Sequence, residues 1–387
     1  MLVGTRFGGN QSVVQFNPPR DLANRLKRRL RRGRIQKSFK SYLTTRPGGY
    51  ELFSDDRSEH RAIDMEQFPT GDVINLHWIA RFVDFKSFFS NLPPKIPVFW
   101  TLHDMAPFCG GCHYDNGCKK FRTGCGACPQ LGSEVAGDLS RQIWQRKAGA
   151  LAKIPSSKLH IVACSRWLAD EVRNQSMFSR FPISVITPGI DLKTFAPRHR
   201  CFSRDILNLP ANARIVLFSA HSIDIPRKGF DLLQQALNQL DKIPNLLLVS
   251  LGHGTPQMKT SIPHVHLGHI EEERMLSIVY SAADIFAMPS LQEAFGFTGL
   301  EAMACGTPVI AFDVGGIRDF VQPGCTGFLV KAGDVTGLAT AIAEVLKDEQ
   351  RRLEMSAQCR HSVEEKFPLK LQAQRYVDLY RSTLPAN

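Results

Sequence analysis

The sequence predicts an α/β protein of two domains, each built around a parallel sheet. Three observations lead there. A chain of 387 residues is long enough to bury two full cores. From residue 72 onward, short apolar runs closed by breakers alternate with helical patterns, which is how parallel sheets with crossovers read. Near 188–212 that alternation is interrupted by an aperiodic stretch carrying Pro188, Gly189 and Pro197, a natural domain break.

Composition bounds the partners. The hydrophobic fraction of 43% is ordinary for a globular protein. No apolar stretch is long enough to span a bilayer, and no secretory apolar segment follows Met1. Ten cysteines without an export signal favour a reducing, cytoplasmic setting, so they read first as thiols or metal ligands. A net charge of +12 predicts attraction to polyanions. Ten Lys or Arg lie between Arg20 and Lys40 against one acid, Asp21, and Leu22, Leu26 and Leu30 recur every fourth residue. That pattern fits a basic amphipathic helix at the inner face of an anionic membrane, or equally a solvated surface helix. Interleaved aromatics are missing, so no nucleic acid is expected.

The first domain offers strands at 72–78, 97–104, 160–165 and 183–187, with a helix opening at Trp167. The first two end in His77 and His103, at the carboxyl edge where such sheets bind ligands. Between them and the third strand lies CGGCHYDNGCKKFRTGCGACPQLGS. It carries Cys109, Cys112, Cys118, Cys125 and Cys128, with His113 among them. Four thiolates form the usual closed structural zinc site, and the later four, Cys112, Cys118, Cys125 and Cys128, are the preferred set. Their spacings of five, six and two intervening residues are not those of a standard ribbon, so zinc and free thiols both stay open, with a disulfide scaffold as the third option.

The second domain repeats the alternation, with strands at 214–220, 245–252, 264–268, 284–288, 308–312 and 327–330 and helices at 335–347 and 369–380. Its densest stretch is EAFGFTGLEAMACGTPVIA, residues 293–311. Thr298 is a plausible N-cap, with Glu301 at capping-box spacing, for a helix that stops at Gly306 and Pro308. Glu293 and Glu301 then flank a helix N-terminus, where free N–H groups favour a phosphate and two acids suit sugar hydroxyls. Arg227 and Lys228, just before Gly229 and an apolar helix, could neutralise a diphosphate. Gly315 and Gly316 offer a further turn after a strand.

These residues resemble a known family. Glu293 through Glu301 resembles the E-x7-E signature of retaining glycosyltransferases of family 4, which have two Rossmann-like domains facing across a cleft (the GT-B type). The RKG string is similar to that family's diphosphate-binding motif, although His221 or Ser222 stands where a further Arg is common. WTLHD resembles the strand whose terminal histidine faces the donor sugar. The Cys-rich insert, with HD before it and CPQLGS after it, resembles a bacterial subgroup akin to colanic-acid and exopolysaccharide transferases.

The resemblance implies an acceptor-side domain over 1–190 with a Cys-rich loop at 109–128, and a nucleotide-sugar domain over 191–368. A terminal helix over 369–387 would cross back onto the first domain. It implies His103 and Glu293 as catalytic residues, and Arg227, Lys228, Phe295, Gly296, Phe297 and Glu301 as donor-binding ones. A nucleotide sugar would be the donor, a polysaccharide or lipid-linked saccharide the acceptor, and no catalytic metal is expected. In the family a first strand and a Gly-rich loop precede a segment like MLVGTRFGG; here the chain begins there, and Gly8 and Gly9 stand too far from an apolar strand to replace that loop. The first domain is therefore expected to be truncated. A silent nucleotide-sugar-binding protein and a related sugar-nucleotide epimerase are the alternatives.

Overall fold

A computed structural model describes residues 2–3, 14–60 and 71–384. Gly8 and Gly9 lie outside the described residues. The chain divides into two compact units, the first holding 1–163, 168–185 and 380–387, the second 164–167 and 186–379. Each is an α/β unit with a parallel sheet.

In the first unit, β1 (Leu2–Val3) pairs in parallel with β2 (Val14–Gln15). Helix α1 (Leu22–Lys40) follows, started by Asp21, whose carboxylate accepts from the Asn24 N–H at 2.9 Å. Its leucine row is exposed: Leu22 at 82%, Leu26 at 56% and Leu30 at 54%. Two of its arginines are spoken for, Arg31 by Asp84 and Arg32 by Glu59. The main sheet runs β3 (Ile74–Leu76), β4 (Val98–Leu102), β5 (Leu159–Ala163) and β6 (Ile183–Val185) in simple order, all parallel. Helices α2 (Phe85–Phe89), α3 (Leu139–Leu151) and α4 (Arg166–Arg173) supply the crossovers. The core is aromatic, with Trp100 packed against Phe85, Phe89 and Phe178. Tyr380 belongs to this unit: its ring lies 4.7 Å from Phe99, and its hydroxyl accepts from Asn75 at 2.6 Å.

The second unit begins with α5 (Arg200–Ile206) and β7 (Arg214–Ser222). It continues through α6 (Phe230–Leu237), β8 (Leu246–His253), β9 (His264–His266), α7 (Glu273–Ala282), β10 (Ile285–Met288), α8 (Phe297–Ala304), β11 (Val309–Phe312) and β12 (Gly327–Val330). Three helices end it: α9 (Val335–Lys347), α10 (Glu349–Lys366) and α11 (Leu369–Arg381). The six parallel strands stand in the order β12-β11-β10-β7-β8-β9. From β7 the chain builds outward through β8 and β9, then returns to β7's other side with β10. The order thus reverses between β7 and β10, the topological switch point where such sheets bind ligands. Phe218, Leu248, Ile285 and Ile310 from the strands pack with Leu233 of α6 and Ile342 of α9.

One buried carboxylate anchors the amino-terminal end of this sheet. Asp284, just before β10, accepts from Arg204 at 2.9 Å, Arg200 at 3.1 Å and the Ile215 N–H at 2.7 Å. The guanidinium of Arg352 stands 3.2 Å away. Removing one partner of such a cluster strands the others' charge inside the protein. Asp284→Ala is expected to cost about 3–5 kcal/mol, read as a lowered denaturant midpoint with little change in slope.

Candidate active site

Three loops leave the carboxyl ends of the neighbouring strands β7, β10 and β11, and they are fastened to one another main chain to main chain. The loop after β7 closes in a tight turn over Pro226–Lys228, and the Arg227 carbonyl accepts from the Leu291 N–H at 2.8 Å. Gly229 follows at φ 74°; a Cβ there would stand 2.0 Å from the Pro289 carbonyl oxygen. In the loop after β11, the Gly316 N–H donates to the Glu293 carbonyl at 3.1 Å. Gly315 sits at φ 53°, where a Cβ would come within 1.8 Å of that same oxygen. Only glycine fits either position.

Glu293 lies where the loops meet, 5% exposed. Its Oε1 accepts from Lys228 Nζ at 2.5 Å and Ser290 Oγ at 3.0 Å, with Arg227 Nη1 at 3.5 Å. Burial pushes the carboxyl pKa up, but the Lys228 and Arg227 charges and the two hydrogen bonds more than offset it, so Glu293 is held below the usual glutamate value. Arg227 is itself buried and donates to the Gln292 carbonyl, so Lys228 is the more exposed cation of the two. Two cations against one carboxylate leave a positive excess beside the start of α8.

The helix start differs from the sequence expectation. The N-cap is Gly296, at φ 101°, and α8 begins at Phe297; Thr298 lies inside the first turn. No side chain caps this end, so its first N–H groups are offered to a ligand. Phe295 is buried and Phe297 is 43% exposed. Glu301 forms no capping box. Its Oε2 accepts from the Tyr280 hydroxyl at 2.7 Å, and burial raises its pKa to about 7 although that hydrogen bond opposes the rise.

His103, in the first unit, follows β4. Its Nε2 lies 2.9 Å from Nδ1 of His77, the rings stacked with centroids 5.2 Å apart. Both residues keep an exposed edge, while the protein around the rest of each ring lowers both pKa values, His77 to about 4. The pair is therefore neutral at neutral pH. His113, between the cysteines, is fully used elsewhere: Nδ1 bonds Asp104 at 2.7 Å and Nε2 bonds Ser54 at 2.8 Å. Cys112, Cys118, Cys125 and Cys128 line one small cavity in the same unit.

Sequence reasoning did not single out Ser290 and Tyr280, which bond the two glutamates. Ser290 stands in the strand-ending MPS, a signal that could have found it; Tyr280 reaches Glu301 from another helix, with no local signal.

Parts of the chain are similar to known proteins. Residues 200–362 match the family described as glycosyl transferases group 1. The chain is 34% identical over 194 residues to a D-inositol 3-phosphate glycosyltransferase of Xylanimonas cellulosilytica, covering 46% of each chain. It is 35% identical over 198 residues to that of Mycolicibacterium smegmatis, covering 47% of this chain and 45% of the other. The chain thus spans about half the length of the curated relatives it matches. Among solved structures, a sucrose-phosphate synthase of Thermosynechococcus elongatus superposes with a TM-score of 0.63 at 25% identity, over 80% of this chain and 73% of that one. The Anabaena protein HepE, solved with UDP-glucose, superposes with a TM-score of 0.57 at 20% identity, over 74% and 72%. The fold is α/β with parallel sheets in two domains, and its structural neighbours are glycosyltransferases of the GT-B class.

The titration of Glu301 is directly measurable. Between its unfolded value of 4.5 and about 7 the folded protein keeps a proton that the unfolded chain has lost, so this group's contribution to stability falls as pH rises through that window. Carboxyl NMR is expected to show a glutamate titrating near 7, moved higher still in Tyr280→Phe, where the carboxylate loses its donor.

Proposed function

We propose that the protein is a retaining glycosyltransferase that takes a sugar from a nucleotide-sugar donor. The observation that carries the proposal is the buried Glu293 held between Lys228 and Arg227, beside the uncapped start of α8, at the switch point of the second sheet. Lys228 and the Phe295–Phe297 main chain, with Gly296 at its centre, would stabilise the departing diphosphate. Glu293 would hold donor-sugar hydroxyls and Glu301 the ribose, while His103 remains the residue of the first unit to which the resemblance assigns a catalytic role. The match of 200–362 to the group 1 transferases and the UDP-glucose seen in HepE support a nucleoside diphosphate sugar as donor. For the acceptor we propose a cell-surface polysaccharide or lipid-linked saccharide, following the resemblance of the Cys-rich insert.

Glu293→Gln and Glu301→Gln are each expected to lower transfer by about 10²–10³-fold, the scale of losing one preorganised polar contact. The assay is release of nucleoside diphosphate from a panel of nucleotide sugars, with circular dichroism confirming the fold. Wild-type turnover in either variant would remove the assignment.

We further propose that α1 meets an anionic membrane surface on the cytoplasmic side. Its exposed leucines support this, as do Arg25, Arg29, Lys37 and Lys40, which form no ion pair among the described residues; among those residues no helix is long and apolar enough to cross a membrane. Because Arg31 and Arg32 are tied to Asp84 and Glu59, the informative change is Arg25, Arg29, Lys37 and Lys40 to Gln. That variant is expected to leave anionic vesicles in a sedimentation assay, as the parent does at high salt. Equal sedimentation of both would make α1 a solvated surface.

A further inference from the structure

We propose that the carboxyl edge of the first sheet is a saccharide site, with Trp78 as the platform on which a pyranose ring stacks and the His77–His103 pair holding two of its hydroxyls. Naming that sugar the acceptor rests on the transferase reading; the binding of a sugar does not. Of the four tryptophans Trp78 is the exposed one, at 56%; Trp100 is buried, and Trp144 and Trp167 are half-buried. Its main chain is nonetheless anchored. Leu76 before it and Ile79 after it are buried, and the Ile79 carbonyl accepts from the Phe82 and Val83 N–H groups at 3.1 and 3.0 Å.

The one polar atom of the indole is turned inward. Its Nε1–H donates to Asp104 Oδ2 at 3.1 Å. Asp104 is held in turn, by His113 Nδ1 at 2.7 Å on that oxygen and by the Ala106 N–H at 2.8 Å on the other, while His113 Nε2 bonds Ser54 at 2.8 Å. With its N–H spent on a buried carboxylate, what Trp78 shows to solvent is hydrocarbon ring. The ring is also fixed before any ligand arrives, so little ordering cost is left for binding. One face of a pyranose is a row of C–H bonds, which packs on an aromatic ring while the hydroxyls reach outward from its rim.

The histidines supply the polar contacts. His77, Trp78 and His103 line one cavity of about 20 Å³ with Thr101 and Asp104. That is room for about one water, so a sugar lies across its mouth. His77 Nδ1 and His103 Nε2 share one hydrogen bond at 2.9 Å, so one of the two neutral rings donates and the other accepts. His77 Nε2 and His103 Nδ1 remain. Whichever way the shared proton lies, one of these is a donor and the other an acceptor. A hydroxyl meets either, so two neighbouring hydroxyls satisfy the pair in both tautomers. An anion accepts from one nitrogen and faces the lone pair of the other. Charged groups at the cavity are engaged already: Asp55 with Arg57 and Arg146, and Lys147 with the carbonyls of Ala106 and Cys109. Among the described residues no three His, Cys, Asp or Glu gather to hold a metal ion, neither here nor at Cys112, Cys118, Cys125 and Cys128. A hydrocarbon platform beside one donor and one acceptor, with no free charge, selects a neutral polyhydroxylated ring.

The test takes the full chain, without nucleotide, and the methyl pyranosides of glucose, galactose, mannose and N-acetylglucosamine. Saturation-transfer NMR is expected to show at least one of them bound, most strongly through the ring protons of one face. In wild-type protein carrying 5-fluorotryptophan, that sugar should move one fluorine signal, the one most sensitive to heavy water, as befits the exposed Trp78. Trp78→Ala is expected to weaken binding about tenfold, the scale of one aromatic contact. Trp78→Phe should weaken it less, and Phe202→Ala, an exposed aromatic of the second unit, should not weaken it. No binding across the panel, movement of a different tryptophan signal, or undiminished binding by Trp78→Ala would overturn the proposal. Sugar binding without any nucleotide-sugar turnover keeps this site and removes the transferase reading; turnover with no sugar bound does the reverse.

Discussion

The second unit depends on a carboxylate that would be intolerable alone. Glu293 is buried at the carboxyl edge of the sheet, where an isolated negative charge would cost far more than the fold could absorb. Lys228 and Arg227 make it tolerable, and Gly229 and Gly315 allow the loops bearing these groups to close on one another. The dependence is mutual. Without Glu293 the two cations would face each other and the positive start of α8 with nothing between them. The charges explain the packing of the loops, and the packing holds the charges in place.

Much of this was legible in the chain. Strand-length apolar runs such as PVIAF and GFLV stand where the sheet has β11 and β12, and the helix over 335–347 has the bounds its apolar spacing indicates. These signals are local: a buried parallel strand is apolar on both faces wherever it sits. The basic helix and the acids at 293 and 301 were visible for the same reason. What stayed hidden was long-range or backbone in origin. Thr298 has the chemistry of an N-cap, but the left-handed turn at Gly296 starts the helix two residues earlier. Glu301 has capping-box spacing, yet Tyr280, 21 residues away, takes its carboxylate. Arg227 and Lys228 read as two cations for a diphosphate, whereas Arg227 is turned inward to a carbonyl 65 residues on.

The two histidines of the first unit show the limit from the other side. Both end strand-like runs, and His103 stood out because WTLHD resembles the family strand whose terminal histidine faces the donor sugar. Their adjacency follows from β3 and β4 being neighbours: with Leu76 opposite Trp100, His77 falls level with Thr101, and His103 lies two residues further along, within reach of it. Sheet order, which a sequence does not spell out, turns two separate candidates into one pair.

The glycines at 229 and 315 carry a consequence for how this protein could change. Each lies against a carbonyl oxygen with no room for even a methyl group, so the frame around Glu293 is written in main chain and is closed to side-chain variation. The rim is not. Leu291 on the loop after β10 and Phe297 at the first position of α8, each 43% exposed, sit beside that frame. Under the proposed function, diversity in the donor accepted can accumulate at such positions without disturbing the geometry beneath them. A laboratory seeking altered preference would do better to randomise this rim than the RKG or GGIRD turns, which offer geometry and no latitude.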